Sequence, residues 1–124
     1  MELEDLFSSL TINGGTDPLN HIEFQVLTEQ HPTDITLEEY TDYYLLLAKQ
    51  EEGTTLVATK VSMHDDTVIQ SNIICANHDS LQAAQFIAKA LNLNKPLWLF
   101  LCMRNYEDQL ISELTNGLIW NLSR

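Results

Sequence analysis

The sequence predicts an α+β fold in a single domain spanning 1–124, an antiparallel sheet with helices packed against it and an amphipathic C-terminal helix. Three observations predict it. Residues 21–28 alternate apolar and polar side chains, and 54–76 hold further strand-like runs broken by turn residues. Residues 80–92 and 105–122 space their apolar side chains by three and four. Between these helices, Pro96 to Met103 is apolar on both faces yet only eight residues long, the signature of a strand covered on both sides. With 124 residues, 44% of them hydrophobic, the chain is long enough to bury roughly two-thirds of its unfolded surface in one core. It is expected to fold without staples.

Glu2 to Leu10 opens the chain as a short amphipathic helix, with Leu3, Leu6, Phe7 and Leu10 on one face and acids in the first turn, where the helix dipole favours them. Asn13-Gly14-Gly15 and Asp17-Pro18 then break the period. His21 to Thr28 places Ile22, Phe24 and Val26 on one face and Glu23 and Gln25 on the other, as a half-buried strand with an acidic outer face.

The segment from Asp34 to Gln50 has two readings. Thr36 to Glu39 has capping-box spacing, and Leu37, Tyr40, Tyr44 and Leu47 share a helical face. Tyr43 to Ala48 also reads as a strand, with Thr55 to Val61 as the second arm of a hairpin. A strand from about Asp42 is favoured, giving a meander that turns again at His64-Asp65-Asp66 into Val68 to Ala76.

The pattern then becomes helix, strand, helix. Asp79 or Ser80 caps Leu81 to Asn92, where Ala83, Ala84, Ala88 and Ala90 suit close packing and Phe86, Ile87 and Leu91 supply bulk. Asn92 to Lys95 is the exit, and Pro96 opens the apolar strand. Asn105 is read as the cap of the last helix, whose apolar band runs through Tyr106, Leu110, Leu114 and Leu118 to Trp120 and Leu122.

Charge carries the functional signal. Met1 to Asp66 hold 14 Asp and Glu against Lys49 and Lys60, a net of −12, whereas the remainder holds four acids and four bases. Self-repulsion on that scale calls for solvent or a cationic partner, because ordinary surfaces intersperse both signs. The same charge argues against direct nucleic-acid binding. The residues expected to meet a protein partner with a basic surface are Glu23, Glu29, Asp34, Glu38, Glu39 and Asp42, each placed on an outward strand face, a loop or an element end.

Catalytic chemistry is thin. His21, His31, His64 and His78 stand singly, and His64 and His78, each followed by Asp, fit turn and cap positions better than metal ligands. Cys75 and Cys102 lie in apolar runs and read as buried reduced thiols of a cytoplasmic protein, lacking the electropositive setting a nucleophile needs. The carboxylate pairs Glu38-Glu39, Glu51-Glu52 and Asp65-Asp66 fall at predicted turns or ends, where solvent keeps both members charged, whereas acid catalysis needs one of them neutral. No phosphate loop, nucleophile elbow or zinc signature is present. No catalytic residue, metal or cofactor is expected. No basic stretch leads into an apolar one at the start, and no run reaches the ~20 residues of a membrane span, so neither export by an N-terminal signal nor membrane insertion is expected.

An N-terminal amphipathic helix, a run of strands, a middle helix, and the strand Pro96 to Met103 turning through Arg104-Asn105 into a last helix with Trp120 near its end together resemble the class I chaperones of type III secretion systems. The resemblance implies a homodimer that keeps the N-terminal segment of a secreted effector extended and unfolded. It departs from that family in lacking a further short strand between the middle helix and the last strand, where only Leu93 to Lys95 lies. The rival reading is an acidic inhibitor, an immunity protein, antitoxin or anti-defence protein whose carboxylates occupy the basic groove of a nuclease. A third is a subunit of a larger assembly that docks through the apolar run Tyr43 to Leu47.

Overall fold

Among the described residues four of the five strand pairings in the sheet are antiparallel, and the one between the third and sixth strands of the chain is parallel. The structure, a computed structural model, describes residues 18–28, 31–51, 53, 55–64, 67–74 and 78–123. The elements are β1 (Asn20–Thr28), β2 (His31–Glu39), β3 (Tyr44–Gln50), β4 (Thr55–His64), β5 (Thr67–Ile74), α1 (His78–Leu91), β6 (Leu97–Met103) and α2 (Asp108–Leu122). The sheet order is β1-β2-β3-β6-β4-β5. The fold is therefore α+β, as the sequence predicts, with an amphipathic helix at the C-terminal end. The expected helix Glu2 to Leu10, Cys75, and the acids Asp65 and Asp66 lie outside the described residues.

Strand β6 lies at the centre beside β3, and both are apolar on both faces. Leu97, Leu99, Leu101 and Met103 face the helices, whereas Phe100 is buried on the other side. This placement corrects the expected hairpin between Tyr43–Ala48 and Thr55–Val61. β3 and β4 do not pair; β6 lies between them, parallel to β3 from Tyr44↔Leu97 to Lys49↔Cys102 and antiparallel to β4. Local alternation identified both arms but not the partner that outcompetes each for the other.

The capping-box reading of Thr36 to Glu39 gives way to a strand. In β2, Thr33, Ile35 and Leu37 point into the core while Asp34 remains exposed, in register with β1 from Thr28↔His31 to Asn20↔Glu39. A buried polar network fixes this corner. Thr28 and Thr33 hydroxyls lie 2.7 Å apart, Gln50 Nε2 donates to Thr28 Oγ1 at 2.7 Å, and Gln50 Oε1 accepts from the Arg104 amide at 2.9 Å. Every buried amide and hydroxyl needs such a partner, and these residues supply one another's.

Among the described residues both helices pack on the same face of the sheet. α1 buries Ala83, Ala84, Ile87 and Ala88, and α2 buries Leu110, Ile111, Leu114, Thr115 and Leu118. α1 ends where expected, with Asn92 in the left-handed region at φ 46° and its amide bonded to the Ala88 carbonyl at 3.0 Å, a conformation Asn tolerates after a helix. α2 lies so close to β1 that a methyl group on Gly117 would overlap both methyls of Val26. Three helix expectations are corrected. Phe86 and Trp120 do not enter the core, being 52% and 68% exposed. The N-cap of α2 is Glu107, and Asn105 instead accepts the Glu107 amide at 3.0 Å in a local turn.

Candidate protein-binding surface

The face of the sheet away from α1 and α2 is built by the alternate residues of each strand. Register places His21, Glu23 and Gln25 of β1 across from Glu38, Thr36 and Asp34 of β2, and these across from Leu45, Leu47 and Lys49 of β3. Continuing across the sheet come Trp98, Phe100 and Cys102 of β6, then Lys60 and Ala58 of β4. Acids therefore cluster on the β1-β2 side and aromatic residues nearer the middle.

The six residues expected to bind a partner do not share one environment. Glu23 is exposed, with its carboxylate 3.7 Å from the His21 ring. Asp34 is exposed and accepts a hydrogen bond from Gln25 at 2.7 Å. Asp42 is exposed in the bend before β3. Glu39 is half-buried and paired with Lys95 at 2.7 Å; the same ammonium donates to the Tyr40 carbonyl at 2.9 Å. Glu29 lies outside the described residues. The expectation that Glu38 is solvent-exposed is corrected: it is buried, accepting from the Tyr40 hydroxyl at 3.0 Å and bonded to His21 Nδ1 at 2.9 Å. Part of the charge excess is thus answered inside the protein, by a lysine from the neutral half and by a tyrosine.

Aromatic residues extend this corner. Tyr40 stacks on Tyr43 with centroids 4.7 Å apart, Tyr43 meets Trp98 edge-on at 6.3 Å, and Lys60 lies 5.6 Å over the Trp98 ring. Asp42, Tyr43, Lys60 and Trp98 line a hollow of about 250 Å³. Burial and the nearby Glu38 charge both raise the Tyr43 pKa, so its hydroxyl stays protonated. A larger hollow of about 520 Å³ lies over β1-β3, with Asp34, Lys49 and Glu51 on its walls.

Charge counted by halves hides a second acidic site. Asp79, Glu107 and Asp108 gather where the N-terminal ends of α1 and α2 converge, around a groove of about 500 Å³ that also exposes Phe86. They escape notice because Lys89, Lys95, Arg104 and Arg124 cancel them in the sum. Among the described residues no three His, Cys, Asp or Glu side chains come together in a way that would hold a metal ion. Cys102 is half-buried, its thiol 3.4 Å from the Gly53 carbonyl. No described helix is long and apolar enough to cross a membrane.

No family model and no curated protein matches this chain. A solved structure does: a chain in a crystal structure described as a novel chaperone complex for yeast 20S proteasome assembly. It is similar over 84% of this chain and 89% of its own length, with a TM-score of 0.50 and 15% sequence identity. The similarity is one of fold.

Proposed function

We propose that this chain is a non-enzymatic, chaperone-like protein-binding module, which holds a protein partner through the acidic β1-β2 side of its sheet. The observation that carries this reading is the extent of the fold likeness. The likeness extends over 84% of this chain and 89% of the solved one, so it is one of a whole domain and not of a common hairpin, and the solved chain belongs to a chaperone complex. The exposed carboxylates Glu23, Asp34 and Asp42 supply the chemistry, favouring a partner with a basic surface.

A type III secretion chaperone holding an effector's unfolded segment is a finer version of this reading, supported by the layout of residues 96–124. The nucleic-acid-mimicking inhibitor stands second. It is favoured by the net charge of −12, but a mimic needs a continuous acidic row. Here Lys49 stands across from Asp34, Glu38 is buried and Glu39 is paired with Lys95.

Affinity capture of the full chain from its native cells, followed by mass spectrometry and light scattering of the purified complex, tests the proposal. A stoichiometric complex with a protein that is not a nuclease is expected, and scattering will show whether one copy or a homodimer takes part. Capture of a nuclease would move the assignment to the inhibitor. A specific turnover by the purified chain that disappears in a folded variant carrying His78→Ala and Asp79→Asn would overturn the non-enzymatic reading.

A further inference from the structure

We propose that the groove between the N-terminal ends of α1 and α2 is a second docking site, which takes a short segment of a partner protein presenting a Lys or Arg beside an aliphatic side chain. The proposal rests on the protein-binding reading above but concerns another surface, on the helical layer and in the half of the chain whose net charge is zero.

The groove's floor is apolar and its rim is acidic. Ala83 and Phe86 of α1 face Tyr106 and Ile111 across a space of about 500 Å³, within the range that accommodates a ligand or several side chains. Phe86 is the anomaly. On a helix that buries Ile87 fully and Leu81 and Leu91 in part, Phe86 keeps 52% of its surface in solvent, and an exposed ring in a concave site offers an aliphatic side chain much more contact than one on a convex surface.

Charge complementarity selects the occupant. Asp79, Glu107 and Asp108 form no side-chain hydrogen bond or ion pair with another described residue. The helix dipoles answer only part of this charge: two N-termini contribute roughly +0.5 each, which leaves the rim near −2. An anion is repelled there. A guanidinium or ammonium group at the rim gains charge-assisted hydrogen bonds while its neighbour covers Phe86.

Two peptides decide the matter, a fluorescein-labelled Gly-Leu-Arg-Leu-Arg-Gly and its counterpart with Glu in place of Arg, titrated into the 15N-labelled full chain. The basic peptide should shift the amides of Gln82, Phe86, Ile111 and Ser112, and the acidic one should not. Its Kd should weaken roughly tenfold in the triple variant Asp79→Asn, Glu107→Gln, Asp108→Asn. Because first-turn acids also support their helices, Phe86→Ser provides an independent variant that leaves them intact, with a loss of similar size expected. Shifts centred on β1 and β2, or an unchanged Kd in Phe86→Ser, would overturn the proposal. The two readings fail separately. Absence of any captured partner counts against the protein-binding function, whereas the peptide titration still decides the groove.

Discussion

Glu38 sits among the residues whose sequence context suggests a surface acid, and its neighbours make it part of the structure instead. Its two carboxylate oxygens are engaged by the Tyr40 hydroxyl and the His21 ring. Removing an acceptor from a buried donor costs about 1–3 kcal/mol, the desolvation penalty of the group left behind. Glu38→Ala should therefore lower the stability measured by urea unfolding by about 2 kcal/mol, and by less when Tyr40 is already Phe; additive losses would contradict the pairing. Tyr106 gives a prediction in pH. Burial is the largest cause raising its pKa, a backbone hydrogen bond opposes this, and the balance lies well above the ordinary tyrosine value. Between the unfolded and folded pKa values the unfolded chain binds fewer protons, so stability is full below about pH 10 and falls as pH rises above it. Tyr106→Phe should flatten that alkaline fall, as followed by denaturant midpoints between pH 8 and 11. An unchanged slope would contradict the assignment.

The contact between α2 and β1 depends on a missing side chain. Replacing glycine by alanine within a helix normally gains about 1 kcal/mol, but at Gly117 the added methyl meets both methyls of Val26, and valine has little rotamer freedom with which to yield. Overpacking of this kind costs about 1–3 kcal/mol. Gly117→Ala should thus destabilise the wild-type protein and stabilise a Val26→Ala background, and the reversal of sign in chemical denaturation is the check. The same sign in both backgrounds would mean that the helix does not pack as described. At this scale the sequence was legible wherever a period was clean. β1, α1, β6 and α2 are found close to their expected spans. β2 was harder to read because Thr36 to Glu39 satisfies a capping pattern and a strand alternation at once, and tertiary pairing with β1 and β3 decides between them. The pairing of β6 was unreadable for a different reason: strand order depends on which strand buries most apolar surface, a comparison among segments far apart in sequence. The exposure of Phe86 and Trp120 was equally hidden, since helical spacing defines a stripe but not how wide a stripe the sheet covers.

For the whole molecule, charge and topology act together. Among the described residues, most acids of the first half lie on β1 and β2, where the antiparallel register aligns Glu23 and Asp34 on one face. Their number was plain from sequence; their division into buried, paired and exposed members was not, because Lys95 reaches Glu39 from 56 residues away along the chain. Steering by the remaining exposed acids should act over about 8 Å at physiological ionic strength and chiefly accelerate association. Neutralising Glu23, Asp34 and Asp42 to Gln, Asn and Asn should leave the thermal midpoint unchanged or raised, because self-repulsion falls. The most direct test is the association rate of this triple variant with the captured partner, measured by stopped flow from low to physiological salt. The account predicts a rate roughly tenfold below wild type at low salt, with a flatter salt dependence and a dissociation rate little altered. A variant that associates as fast as wild type at low salt would contradict it, and the acidic half would then serve solubility alone.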